Sequence, residues 1–142
     1  MPSAIANAKL AYEAYNEIFG GEEFADLRAA GANVQRCLWA STSTKNPDYR
    51  DVLYVEELIG PDTVDTMPLE TIEAFLDHGT VERRLDDGLD DARQALREVE
   101  ASGIGMQRVT EELLAEGVAS FAKSFDELIE TIESKRKELA PA

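Results

Sequence analysis

Apolar residues near the amino terminus recur every three or four positions. Ile5, Ala8, Tyr12, Tyr15 and Phe19 fall on one stripe, which predicts a helix from Ser3 to Phe19 with Ser3 as its cap. Gly20 and Gly21 stop it. A shorter repeat from Glu22 to Ala30 would bury Phe24 and Leu27 and end at Gly31. The pattern then changes, because "NVQRCLWA" is a short apolar run containing β-branched Val34 and aromatic Trp39, and it predicts a buried strand over 34–40. Residues 41–48 are rich in Ser, Thr, Asn and Pro, as a loop is. Pro47 suits the first turn of a helix from Asp48 to Ile59, with Val52, Val55, Leu58 and Ile59 on its inner face. "GPDTVDTMP" supplies a turn, a second strand over 63–66, and Pro68 opening a helix that runs from Leu69 to Asp77 and ends at His78-Gly79.

Strand, helix, strand is a βαβ unit, and it implies a parallel pair. Beyond Gly79 the spacing is helical throughout: 81–101 with Leu85, Leu89, Ala92, Leu96 and Val99 inward, then 106–116, then 119–139 with Phe121, Phe125, Leu128 and Ile132 on one side. The fold class is therefore α/β, mostly helical, in one domain over 1–142. Its sheet is incomplete. Parallel strands normally occur in sheets covered on both faces, whereas a lone pair leaves two edges open.

Composition narrows the field. A chain of 142 residues that is 44% hydrophobic can bury a core, and a net charge of -15 repels phosphate backbones and anionic lipid, which excludes nucleic acid as a partner class. No apolar run reaches the ~18 residues of a membrane span, and "MPSAIANAKLAYEAY" lacks the layout of a signal peptide, so the expected location is the cytoplasm. Cys37 is the single cysteine and lies in the apolar run, where it reads as a small hydrophobe. Trp39 and Phe75 read as core residues. With one histidine, His78, placed where a cation merely favours a helix end, no zinc site can be assembled. "DDGLDD", 86–91, lacks the alternating ligands and closing Glu of an EF-hand and reads as a solvated helix start. No metal or cofactor is expected.

The most distinctive stretch is "LWASTSTKNPDYRDVLYVEELIGPDTVDTMPLETIEAFLDHG", 38–79, which resembles the carboxy-terminal part of bacterial transaldolases, including the form fused to a glucose-phosphate isomerase. The resemblance extends to both sides: "AIANAKLAYEAYNEIF" is similar to the helix after the family's sixth strand, and "MQRVTEELLAEGVASFAKSFDELIETI" to its terminal helices. It implies a (β/α)8 TIM barrel, of which this chain would be a carboxy-terminal part holding strands seven and eight, since such a barrel takes ~250 residues.

The same resemblance implies an activity, the transfer of a dihydroxyacetone unit between sugar phosphates through a Schiff base, in the pentose phosphate pathway. Barrel chemistry sits at the carboxyl ends of the strands, and the loops after strands seven and eight frequently hold phosphate. Residues 41–45 occupy such a loop, so Ser43 and Lys45 are the expected phosphate ligands, with Ser41 and Thr42 in reserve. Hydroxyls donate hydrogen bonds, the ammonium supplies charge, and the following helix would present its positive end. Judged without the resemblance, the loop is a Ser/Thr-rich turn with one solvated lysine and no Walker spacing.

In the family the Schiff-base lysine lies on the fourth strand and the proton-handling carboxylates on the first and third, none of which this chain contains. Lys9, Lys123, Lys135 and Lys137 fall in helices, and a bound phosphate would keep Lys45 protonated and therefore not nucleophilic. No catalytic residue is assigned, and the chain alone is expected to be inactive. The expected partners are sugar phosphates, together with the missing amino-terminal barrel half. Two alternatives stay open: a subunit that complements a split barrel, and a non-enzymatic acidic helical interaction module.

Overall fold

The computed structural model describes residues 1–139. It divides into two compact units, one spanning Met1–Glu98 and the other beginning at Val99. The boundary falls within a helix.

In the first unit, helix α1 (Ser3–Gly20) buries Ile5 and Tyr12 of the predicted stripe, together with Ala6 and Lys9 outside it, while Ala8, Tyr15 and Phe19 are half-buried. Its cap differs from expectation. Pro2 holds the N-cap position without a side-chain hydrogen bond, and Ser3 is already helical. The helix stops at Gly21 for a steric reason, since a Cβ there would stand 2.6 Å from the Glu17 carbonyl oxygen. Helix α2 (Glu22–Ala29) follows and ends before Gly31, whose φ of +90° a side chain would strain. This helix buries nothing fully: Phe24 sets its edge on Phe19 at 4.9 Å between ring centroids, but Leu27 is exposed. Eight residues offer a single apolar contact and leave the rest to solvent.

The strands are shorter than predicted. β1 (Cys37–Trp39) pairs in parallel with β2 (Thr63–Asp65), in the register Cys37 to Thr63, Leu38 to Val64 and Trp39 to Asp65. A ladder needs a partner, and residues 34–36 have none in this pair, so the strand is confined to three positions. Alternation sets the faces: Cys37 and Trp39 pack against a core cluster of Ile5, Tyr12, Leu58 and Leu85, whereas Leu38 is 53% exposed on the other face. Cys37 thus packs as a small hydrophobe, and burial pushes its thiol up.

Helix α3 is Leu53–Glu57, not Asp48–Ile59. The start is delayed because Asn46 folds its side chain onto the backbone: its Oδ1 accepts from the Asp48 N–H at 3.0 Å and its carbonyl from Tyr49 N–H at 3.1 Å. The inner face is as predicted, with Val52, Val55 and Leu58 buried. Helix α4 (Leu69–His78) starts after Pro68 and ends at Gly79, where a Cβ would collide with the Phe75 ring at 2.3 Å. Phe75 is half-buried, but Leu69 and Leu76 are exposed.

The largest departure lies at 81–88, which the spacing predicts as helix and the structure shows as irregular chain. Leu85 is the reason. It is fully buried against Gly60, and the Arg84 and Leu85 N–H groups both donate to the Ile59 carbonyl at 3.1 Å, so they are not free for an i to i−4 ladder. Lys9 takes two carbonyls of the same segment. Burying one leucine stabilises by about 1.5–3 kcal/mol, enough to override weak helix propensity over eight residues. Gly88, at φ +65°, then turns the chain into α5 (Leu89–Ala101), which buries Ala92.

The second unit consists mainly of α6 (Met106–Leu139), one helix of 34 residues where the sequence predicts two. A single Gly117 costs about 1 kcal/mol in a helix interior and does not break it. None of its residues is buried, and Phe121, Phe125, Leu128 and Ile132 remain on one exposed stripe. Among the described residues no helix is long and apolar enough to cross a membrane.

Candidate functional site at the carboxyl ends of the strands

The chain leaves β1 at its carboxyl end through Ala40 and enters the loop 41–45. Two backbone bonds and one to a side chain carry the strand pairing slightly further: the Thr66 N–H donates to the Trp39 carbonyl at 2.9 Å, the Thr42 N–H to the Thr66 carbonyl at 3.1 Å, and the Ser41 N–H to Thr66 Oγ1 at 3.3 Å. Ser41 adopts φ +55°, in the left-handed region that non-glycine residues seldom visit. This turn lifts the loop off the sheet.

Of the four residues singled out from sequence, Ser41, Thr42 and Ser43 line one cavity and Lys45 does not. Thr42 is 5% exposed, and its hydroxyl donates to Asp65 Oδ1 at 2.9 Å, which spends its one proton inside the protein. Thr42 is therefore a brace between the strand ends rather than a free donor. Burial pushes the Asp65 carboxyl up, while the bonds from Thr42 and from the Thr66 backbone pull it down. Ser41 and Ser43 line a cavity of about 290 Å³, Ser41 exposed and Ser43 half-buried. Lys45 lies in irregular chain beyond them and is exposed. The expected contribution from a helix end does not materialise: α3 begins only at Leu53 and has five residues.

The rest of that cavity is apolar, with Ala4 and Ala8 of α1, Leu38 and Trp39 of β1, and Tyr54 and Leu58 around it. Two buried side-chain polar atoms have no hydrogen-bond partner among the described residues, Trp39 Nε1 and Thr44 Oγ1. They bracket the Ser41–Ser43 stretch in sequence. Neither was marked from sequence. In the sequence Thr44 is one hydroxyl in a run and Trp39 reads as a core residue.

Beyond Lys45 the chain is tied down by Glu56, a carboxylate only 3% exposed. Glu56 Oε1 accepts from Arg50 Nη2 at 3.1 Å and from the Thr80 N–H at 3.0 Å, and its Oε2 pairs with Arg50 Nη1 at 3.0 Å. A second tie joins Asp51 to His78 Nε2 at 2.9 Å. Both hold the segment after the loop to the end of α4. His78 is thus more than a favourable helix-end cation: the hydrogen bonds its ring donates to the Asp51 and Asp77 carboxylates hold its pKa above the ordinary histidine value.

Lys9 contradicts the expectation of a solvated helix lysine. It is 2% exposed, donates to the carbonyls of Arg84 at 2.7 Å and Asp87 at 3.2 Å, and pairs with Glu57 at 3.2 Å. Three acceptors for three N–H groups make it a structural clasp. Among the described residues no group of three or more His, Cys, Asp or Glu stands ready to hold a metal.

The sequence model of the transaldolase/fructose-6-phosphate aldolase family matches residues 2–132, and the chain belongs to that family. It is 47% identical over 140 residues to transaldolase 2 of Nostoc punctiforme, 48% over 131 residues to transaldolase 1 of Streptomyces coelicolor, and 51% over 131 residues to a transaldolase of a Parafrankia species. These matches cover 97%, 92% and 92% of this chain and 37%, 34% and 36% of the relatives. The chain spans little more than a third of the length of the curated relatives it matches.

Proposed function

We propose that this chain is the carboxy-terminal, phosphate-holding part of a transaldolase, an enzyme that moves a dihydroxyacetone unit between sugar phosphates through a Schiff base. The single observation that carries the reading is the loop 41–45 set at the carboxyl end of β1 and clamped to β2 through Thr42 and Asp65. Lys45 supplies the positive charge, Ser43 and Ser41 supply hydroxyl donors, and Thr42 shapes the loop from below.

The Schiff-base lysine is assigned to barrel strands outside this chain. An amine nucleophile must be uncharged and free to attack, whereas Lys9 is locked among three acceptors and Lys45 stands exposed to solvent. The complete barrel has eight strands, and this chain holds two. The sheet suits that origin. Leu38 lies bare on the face away from α1, its partner Val64 is half-buried, and the pair's edges are open to further strands. The amino-terminal barrel half is accordingly the proposed protein partner.

Amide NMR with inorganic phosphate and with fructose 6-phosphate tests the binding half of this reading. Shifts should concentrate at residues 41–45. Borohydride trapping with fructose 6-phosphate tests the chemical half, and no covalent sugar adduct should form on this chain. A phosphate response confined to another part of the chain, or a trapped adduct on any of its lysines, overturns the proposal.

A further inference from the structure

We propose that two copies of this chain associate through their α6 helices, packed antiparallel along the apolar stripe; this goes beyond the sugar-phosphate reading and does not rest on it. The helix has 34 residues and buries none, leaving Phe121 82% exposed and Leu114 69%. A helix with that much bare apolar surface draws its stability from a partner. Its spacing says what kind. Leu114, Val118, Phe121, Phe125, Leu128 and Ile132 succeed one another by four, three, four, three and four residues, a strict seven-residue repeat. Such a seam fits a second helix at a shallow crossing angle, because a period of about 3.5 residues keeps it facing a partner that supercoils around it.

Charge selects a second copy and its direction. The repeat continues before the apolar seam at Glu111 and after it at Lys135. When two α6 helices run antiparallel about a two-fold axis level with Lys123, Leu114 faces Ile132, Val118 faces Leu128, Phe121 faces Phe125, and Glu111 faces Lys135. Every seam position meets its complement. A parallel pair would instead set Glu111 on Glu111 and Lys135 on Lys135, two like-charge contacts that oppose association. Between the ends, the flanking positions are Ala115, Gly117, Ala122, Ser124, Ile129 and Thr131, none of them charged in a chain that is 30% charged overall. Small, uncharged flanks let two helices approach closely. Further out, Arg108 would stand near Arg136 of the second copy, but its own Glu112 lies 3.6 Å away and offsets that repulsion. The phenylalanines of the two copies meet at the centre of the interface, where truncation costs most.

Analytical ultracentrifugation of the full chain at ~0.15 M salt, where its net charge of -15 is largely screened, should show a concentration-dependent equilibrium between monomer and dimer. Phe121→Glu should raise the dimer dissociation constant roughly thirtyfold or more. Glu111→Lys should raise it roughly tenfold or more, and the double variant Glu111→Lys with Lys135→Glu should bring it back, because the reversed charges again meet their opposites. Parallel helices would give no such loss and recovery. A chain that is monomeric at every concentration overturns the proposal and leaves the stripe to the amino-terminal barrel half or to the rest of its own chain. A dimer that withstands Phe121→Glu overturns it too, as does a charge reversal that its counterpart fails to restore. Should Phe121→Glu not fold, the charge-reversal variants decide.

Discussion

Thr42 donates its hydroxyl to the Asp65 carboxylate at 2.9 Å, across the carboxyl ends of two strands that pair nowhere else. The bond joins residues 23 apart in sequence and fixes where the loop leaves the sheet. Removing it with Thr42→Val should cost about 1 kcal/mol or more, since the methyl replaces the donor and leaves a half-buried carboxylate short of a partner. Urea unfolding of the two proteins measures the difference.

Asp65 also leaves a signature in pH. Burial raises its folded value, so the folded state holds its proton more tightly than the unfolded chain does. That contribution to stability is present at low pH and falls as pH climbs from the ordinary carboxylate range through the raised folded value. Asp65→Asn keeps an acceptor for Thr42 and abolishes the titration. The wild type minus Asp65→Asn stability difference should therefore decline with rising pH across that window; a difference that is flat or rises contradicts the burial of this carboxyl.

His78 offers a second titration that can be read directly, being the single histidine. Its folded pKa is raised by Asp51 first and Asp77 second, so the pair stabilises below the ordinary histidine value of about 6.5 and is lost as pH rises through the folded value. Asp51 is shifted the opposite way, chiefly by the bond from His78, and its contribution is lost as pH falls through its own folded value. The tie is thus strongest between the two. Proton NMR of the imidazole should show a midpoint above 6.5, moving down in Asp51→Asn.

Lys9 should be the costliest lysine to remove. Lys9→Met fills the space but leaves the Arg84 and Asp87 carbonyls unpaired and Glu57 with one cation fewer, and breaking a buried pair from one side costs about 3–5 kcal/mol. Glu57→Gln should cost less, because Glu57 is partly exposed and Lys9 keeps two acceptors. Unfolding by urea ranks the two, and a Lys9→Met protein as stable as the wild type would show that the clasp does not form.

These residues also show what could be read in the sequence. The parallel pair, the inner face of α3 and the stripe of α1 followed from spacing, because burial in those elements is set by local periodicity. Leu85 fitted the same helical spacing and yet sits in irregular chain, since a distant carbonyl, that of Ile59, and a distant ammonium, that of Lys9, capture its segment's backbone groups. Such long-range capture leaves no mark on periodicity. The loop 41–45 was legible as polar, but not how its hydroxyls divide: Thr42 inward to Asp65, Ser43 onto the cavity and the Thr44 hydroxyl buried without a partner among the described residues. That division depends on the left-handed turn at Ser41, which any residue but glycine adopts reluctantly and which no sequence pattern announces.

The central claim is that Lys45 and its loop hold the phosphate of a sugar. Titration calorimetry of the wild-type chain and of Lys45→Ala, each with fructose 6-phosphate and with fructose, tests it most directly. The account predicts saturable binding of fructose 6-phosphate by the wild type, none of fructose, and a loss of roughly tenfold or more in Lys45→Ala, in keeping with a charged hydrogen bond. Equal binding of fructose 6-phosphate by the two proteins, or no preference of the wild type for the phosphorylated sugar, would contradict it.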